Sequence, residues 1–269
     1  GPPGCGKTLL ARCLPGILPP LSFAEALEVA QIYSVAQGGR APLRLSRSRP
    51  FRSPHHSSTV AGLIGGGANP EPGEVTLAHH GVLFLDEVGE FRRTVLDVLR
   101  QPLEDGRVSL VRHGYSITYP ARCQLILAAN PCPCGFLGSS VKECLCTGGE
   151  LASYRRRLSG PLLDRIDLQV WMDRLDAHEY YSSGEPSSVV RERVIKAWDY
   201  LKIIEEGEAV IEVSMGARNV LARAVEKFKL SARAVTRIQR VAKTIAVLEG
   251  SQEIEAHHLA EALTYRLSL

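Results

Sequence analysis

The chain has 269 residues, 45% of them hydrophobic, and a formal net charge of +3. This length allows a large core with a second small domain, and the near-balanced charge excludes a wholly basic or acidic binding chain. No stretch approaches the ~18 consecutive apolar residues of a membrane span, and no signal peptide is visible.

The first eight residues, Gly1-Pro2-Pro3-Gly4-Cys5-Gly6-Lys7-Thr8, complete a G-x-x-x-x-G-K-S/T phosphate loop. The glycines let the backbone N–H groups curl around a polyphosphate. Lys7 reaches the β- and γ-phosphates, and Thr8 holds Mg²⁺. Leu9 to Leu14 predicts the helix that follows, its positive end facing the same anion. A loop of this kind ordinarily follows a buried strand, so the sequence is expected to be a fragment that lacks its first core strand. Ser22-Phe23-Ala24-Glu25 is a capping box, opening a helix with Phe23, Ala26, Leu27, Ala30 and Tyr33 on one face. Gly38-Gly39 ends that helix.

Residues 40–76 read as a long irregular insertion centred on Gly65-Gly66-Gly67. Its start carries Arg40, Arg44, Arg47, Arg49 and Arg52 without an acid, which makes it either a solvated loop or a phosphate-backbone contact. Val82-Leu83-Phe84-Leu85 predicts a buried parallel strand, followed by a helix with Val95, Leu96 and Leu99. Residues 107–119 alternate around His113-Gly114 as a β-hairpin. Leu125 to Ala129 and Leu168 to Trp171 predict two further buried strands. Strands alternating with helices indicate an α/β fold, a parallel sheet flanked by helices. Past residue 175 the composition changes, and Ser182 to Ser188 reads as a linker. Amphipathic helices over 188–204, 216–228, 231–248 and 255–266 form a small all-helical domain. The expected domains are 1–175 and 188–269.

Chemistry gathers at the strand ends. Asp86 follows the first strand and would hold Mg²⁺ through water, and Glu87 would polarise the attacking water. Asn130 ends the next strand, where it orients the water or the γ-phosphate, or simply forms a turn. Arg165 precedes the third strand. It either reaches a neighbouring subunit's γ-phosphate or pairs with Asp164 or Asp167. Arg233 begins a helix of the second domain, a position that ordinarily favours acids, and is a candidate nucleotide clamp.

Cys132, Cys134, Cys144 and Cys146 form C-x-C-x9-C-x-C, which suits either tetrahedral zinc or reduced thiols in a loop. With seven cysteines beside a nucleotide site, a reducing, cytoplasmic setting is expected rather than disulfides. His55, His56, His79 and His80 occur in pairs and read as local hydrogen-bonding groups or, for one of them, a nucleotide sensor.

The order of these motifs resembles an AAA+ P-loop ATPase with a helical lid. Arg-Pro-Phe-Arg-Ser-Pro-His-His (49–56), Ala-His-His-Gly-Val-Leu-Phe-Leu-Asp-Glu (78–87), Gln-Pro-Leu-Glu-Asp-Gly-Arg-Val (101–108), Ala-Asn-Pro-Cys-Pro-Cys-Gly (129–135) and Ser-Gly-Pro-Leu-Leu-Asp-Arg-Ile-Asp (159–167) are similar to the ComM/YifB family of magnesium-chelatase-like ATPases. That resemblance implies ATP and Mg²⁺ as ligands and a ring hexamer. It assigns Asn130 as sensor, Arg165 as trans-acting finger and Arg233 as a second sensor, and it implies an amino-terminal domain that this sequence lacks. It also implies a DNA motor for branch migration in DNA uptake, with the insertion and hairpin facing the ring pore. Arg47, Arg49, Arg52, Arg107 and Arg112 would track phosphates there. The alternatives are a magnesium chelatase ATPase subunit that remodels a protein partner, or a nucleotide-gated regulator. Val88-Gly89 departs from the Leu-Pro expected after the acidic pair.

Overall fold

The computed structural model describes residues 1–39, 44–67, 70–112, 115–139, 142–157, 160–176, 181–207 and 209–266. The chain divides into two compact units. One comprises Gly1–Gly16, Pro20–Arg165 and Met172–Ser182, the other Ile17–Pro19, Ile166–Trp171 and Ser183–Leu269.

In the first unit, α1 (Lys7–Ile17) leaves the phosphate loop and α2 (Phe23–Ala36) starts on the expected capping box between Ser22 and Glu25. The buried face of α2 is Ala26, Val29, Ala30 and Ile32, whereas Phe23 is exposed. The insertion is more ordered than its composition suggests. It contains β1 (Phe51–Arg52), α3 (Val60–Ile64), β2 (Gly65–Gly66), β3 (Glu71–Pro72) and α4 (Glu74–Leu77). Gly65 and Gly66 have φ of 99° and 142°, and a Cβ at Gly65 would strike the Glu71 carbonyl across the β2–β3 pair. Arg40 lies outside the described residues.

Next comes β4 (Val82–Leu85), every residue of which is buried, as a central strand of a parallel sheet requires. It is flanked by β1 and, further along the chain, by β7 (Gln124–Leu127), both parallel to it. Leu83 and Leu85 join Val88, Phe91, Val95, Leu96 and Leu99 in one core cluster. Phe84 stacks on Phe51, with ring centroids 6.0 Å apart. Burying each such side chain stabilises the fold by roughly 1.5–3 kcal/mol before entropy opposes it.

The predicted helix after the acidic pair is two short ones, α5 (Arg93–Asp97) and α6 (Arg100–Asp105). The hairpin is present as β5 (Arg107–Arg112) and β6 (Tyr115–Pro120), with Val108 opposite Tyr119; its turn, His113-Gly114, lies outside the described residues. Two further helices follow β7: α7 (Gly148–Arg157) and α8 (Gly160–Leu163).

The expected third strand at 168–171 is corrected. Leu168 and Val170 are exposed, and the Gln169 N–H donates to the Tyr265 carbonyl at 2.8 Å. The apolar alternation is there, but this donor serves a helix end instead of a strand ladder.

The second unit is helical: α9 (Ser187–Glu205), α10 (Met215–Phe228), α11 (Ala232–Glu249) and α12 (Ala256–Thr264). Ser214 and Ser231 cap α10 and α11 by accepting backbone N–H bonds. Ala217, Ala224, Ala242, Ala246 and Ala262 line the core around Ile238 and Leu259, so small side chains let the helices approach closely. A two-residue parallel pair, β8 (Glu212–Val213) with β9 (Glu253–Ile254), joins the loops; its strands are too short to stand out in the sequence. No helix among the described residues is long and apolar enough to cross a membrane.

Candidate nucleotide site

The phosphate loop curls because Gly4 and Gly6 adopt φ of 80° and 86°, which side-chain-bearing residues rarely reach. A Cβ at either would meet nothing within 4 Å, so the loop faces open space, as a cradle for a ligand must. Lys7 Nζ donates to the carbonyls of Gly1 and Pro2 at 2.7 and 2.8 Å and to Asn130 Oδ1 at 3.0 Å. The loop's cation and the end of β7 thus meet across the sheet edge. Pro2 and Cys5 are buried beneath the loop, while Leu9 is exposed on α1.

Thr8 Oγ1 donates to Asp86 Oδ2 at 2.7 Å. A hydroxyl and a carboxylate in contact at the end of a buried strand form an oxygen donor set that fits Mg²⁺. The other Asp86 oxygen accepts the Glu87 N–H at 2.9 Å. Glu87 itself has φ of 50°, a left-handed conformation uncommon outside glycine. That conformation breaks the strand direction and leaves the Glu87 carboxylate 59% exposed. His56, four residues beyond β1, brings Nδ1 to 3.8 Å from this carboxylate and sets its ring edge-on to Phe91.

Lys7, Thr8, Asp86 and Asn130 are therefore brought together, with Glu87 beside them. Arg165 is elsewhere on the first unit, its Nη2 at 2.6 Å from Glu104 Oε1, an acid the sequence did not single out. Asp167, one of its proposed partners, meets Arg237 at 3.4 Å in the second unit. Arg233 lies in the first turn of α11, exposed.

Three arginines of the basic stretch have partners within the first unit. Arg47 Nε donates to the Leu21 carbonyl, and Arg49 Nη1 to the His80 carbonyl beside Glu25. Arg52 makes a bidentate pair with Glu74, both bonds at 2.6 Å, and this hydrogen bonding raises its pKa. Arg47 and Arg49 thus tie the insertion to the α2 region and the segment before β4, and Arg52 braces it internally. Arg107 is exposed on the hairpin.

The four clustered cysteines converge. Cys132, Cys134 and Cys144 place their sulfurs 3.3, 3.7 and 3.6 Å apart, and the Cys146 sulfur lies within 4.8 Å of the other three. A tetrahedral zinc with Zn–S of about 2.3 Å sets sulfurs ~3.8 Å apart, so the group fits. Leu137 N–H donates to Cys132 Sγ at 3.3 Å. Backbone donation from Phe136 helps lower Cys134 to about 6. A divalent cation is the charge that lets neighbouring thiols ionise together. Gly135, with φ of 83°, abuts the phosphate loop: a Cβ there would come within 2.8 Å of Pro3 Cδ.

The histidine pairs are hydrogen-bonded. Buried His79 accepts the Arg122 N–H on Nδ1 at 3.0 Å and presents Nε2 to Glu28 at 2.9 Å, where His80 Nε2 also arrives. His258 repeats the arrangement, with Glu255 N–H on Nδ1 and Glu249 on Nε2.

Sequence reading named His56 only as one of a histidine pair, and it missed Tyr154 and the close approach of Gly135 to the phosphate loop. Only Gly89, flagged as a departure from pattern, pointed toward Tyr154.

A profile for magnesium chelatase, subunit ChlI, matches residues 1–180, and one for the C-terminal region of the same subunit matches 204–266. A YifB protein of Salmonella typhimurium is 43% identical over 99% of this chain and 54% of its own length. The competence protein ComM of Haemophilus influenzae is 42% identical over the same shares. The magnesium-chelatase 38 kDa subunit of Acidiphilium rubrum is 25% identical over 73% of this chain and 56% of its own. The chain spans about half the length of these relatives.

Proposed function

Because the chain belongs to the magnesium chelatase subunit ChlI family, an AAA+ type of fold, we propose that it is the ATP-hydrolysing core of a ring-forming motor that acts on DNA. The observation that carries the hydrolytic part is the meeting of Lys7, Thr8, Asp86 and Asn130 at one sheet edge, with Glu87 exposed beside them. Lys7 and the loop N–H groups bind the phosphates of ATP. Mg²⁺ held by Thr8 and Asp86 supplies the charge that offsets those phosphates. Glu87 orients the attacking water and draws its proton, and Asn130 fixes the γ-phosphate side of the same water. Arg165 acts on a neighbouring subunit's nucleotide, which makes hydrolysis depend on assembly into a ring, a hexamer by family resemblance.

The DNA part rests on similarity. Identity of 42% to a competence protein over 99% of the chain exceeds the 25% over 73% to a chelatase subunit. With Arg49 and Arg52 engaged internally, the hairpin with Arg107 is the better DNA-facing element. In the same reading Cys132, Cys134, Cys144 and Cys146 hold one structural zinc, which cross-links the loop after Asn130. The test is the ATPase rate of the full chain with and without single-stranded, duplex and forked DNA. Stimulation by DNA supports the motor. A rate indifferent to all three but raised by a chelatase partner protein establishes the chelatase reading instead.

A further inference from the structure

We propose that Tyr154 is a positioning residue for hydrolysis, tying the backbone at Asn130 to the turn that follows Glu87. The proposal deepens the ATPase reading and rests on it.

Tyr154 lies on α7, the helix that follows the four-cysteine loop, and is buried. Its hydroxyl donates to the Asn130 carbonyl at 3.0 Å. Its ring covers Gly89 so closely that a Cβ at Gly89 would overlap the ring and the hydroxyl. One side chain thus touches both loops: the one carrying Asn130, whose amide meets Lys7, and the one carrying Glu87. Three residues on, at the end of the same helix, Arg157 Nη1 donates to the Gly89 carbonyl at 3.0 Å and lies 3.5 Å from Glu90. The helix therefore grips the acidic turn at two points. Burial pushes the Tyr154 phenol above its usual range, so it stays a donor at neutral pH.

This arrangement accounts for a glycine at 89. Only without a side chain there can the ring and hydroxyl lie this close to the turn, so one rigid aromatic spaces the Asn130 loop from the loop after Glu87. A water polarised by one and oriented by the other needs that distance held, since small misplacements cost catalysis heavily.

The experiment uses the full chain and four variants, Tyr154→Phe, Gly89→Ala, Tyr154→Ala and the Gly89→Ala/Tyr154→Ala double, with ATP turnover, binding of a fluorescent ATP analogue, and thermal melting as readouts. Tyr154→Phe keeps the ring and removes only the bond to Asn130. Turnover is expected to fall roughly five- to tenfold, the effect of one net hydrogen bond on a barrier, with KM, analogue binding and melting close to the parent. Gly89→Ala is expected to lower turnover in the parent background but to add nothing to Tyr154→Ala, because the ring it collides with is gone. Parent-like turnover in Tyr154→Phe, or full additivity of Gly89→Ala with Tyr154→Ala, overturns the proposal and leaves the ATPase reading intact. A parent chain that does not hydrolyse ATP overturns both.

Discussion

Replacing Arg165 by Ala separates a catalytic role from a structural one, because the structure bounds what the side chain contributes to folding. Arg165 is held against Glu104 at 2.6 Å, and its side chain is 9% exposed. Glu104 is 41% exposed, so water screens the pair and takes over the carboxylate when the guanidinium is removed. The loss in stability is about 1–2 kcal/mol, above that of a fully exposed pair because the guanidinium itself is nearly buried. An arginine that stabilises transferred phosphate from a neighbouring subunit contributes ~10³-fold to turnover, about 4 kcal/mol. The two effects differ enough to be told apart by pairing a melting curve with a turnover assay. Arg165→Ala is expected to melt near the parent, bind the ATP analogue normally and hydrolyse ATP ~10³-fold more slowly. Mixing it with Glu87→Gln subunits restores interfaces that carry both an intact Glu87 and an intact Arg165, so activity returns in part. A mixed ring, confirmed by mass, that stays inactive would refute action in trans. A drop in turnover matched by a large drop in melting would assign Arg165 to folding.

Lys7→Ala is expected to lose binding of the ATP analogue, whereas Glu87→Gln still binds it with Mg²⁺ but turns over slowly; equal turnover in Glu87→Gln and parent removes Glu87 from the mechanism. Protein purified without added metal is expected to carry about one zinc per chain, lost in Cys132→Ser, and well-folded parent free of zinc defeats that expectation. Arg52→Ala breaks the bidentate pair with Glu74 and should lower stability by about 1 kcal/mol, with no change in the salt dependence of DNA binding. A log–log slope reduced by ~0.7–0.9 would return Arg52 to the DNA surface. His79 is held below its ordinary 6.5, chiefly by burial, so the fold favours its neutral form. Its contribution is present above pH 6.5 and is lost as pH falls below that value. Melting between pH 8 and 5 is expected to decline on the acid side, less so in His79→Gln, and parallel profiles for the two proteins would exclude His79 as the cause.

Much of this was legible in the residues. The continuous apolar run of β4 and the Ser22–Glu25 capping box were local signals with local causes, and both elements formed where their pattern placed them. The same holds for the alternation of the hairpin. Strand 168–171 failed because an apolar alternation states that a segment can pair, while the partner is decided elsewhere in the chain. The arginine stretch misled for a related reason. Glu74, the acid that engages Arg52, lies 22 residues away, so a window without acids was not a surface without acids. Tyr154 was invisible because a tyrosine on a polar helix carries no motif; only the absence of a side chain at Gly89 marked where it would land.

The hydrogen bonds of the buried histidines decide where a metal can bind. His79 accepts a backbone N–H on Nδ1, so in the neutral ring the proton must sit on Nε2, the nitrogen facing Glu28. His258 is fixed in the same tautomer by the N–H of Glu255. A ring nitrogen that carries a proton has no lone pair to give, so in two of the three metal-like clusters among the described residues one histidine is withheld from zinc by its backbone partner. Zinc titrated into the protein should therefore find neither His79 nor His258 as a ligand, which leaves the four thiols as the better-matched cluster.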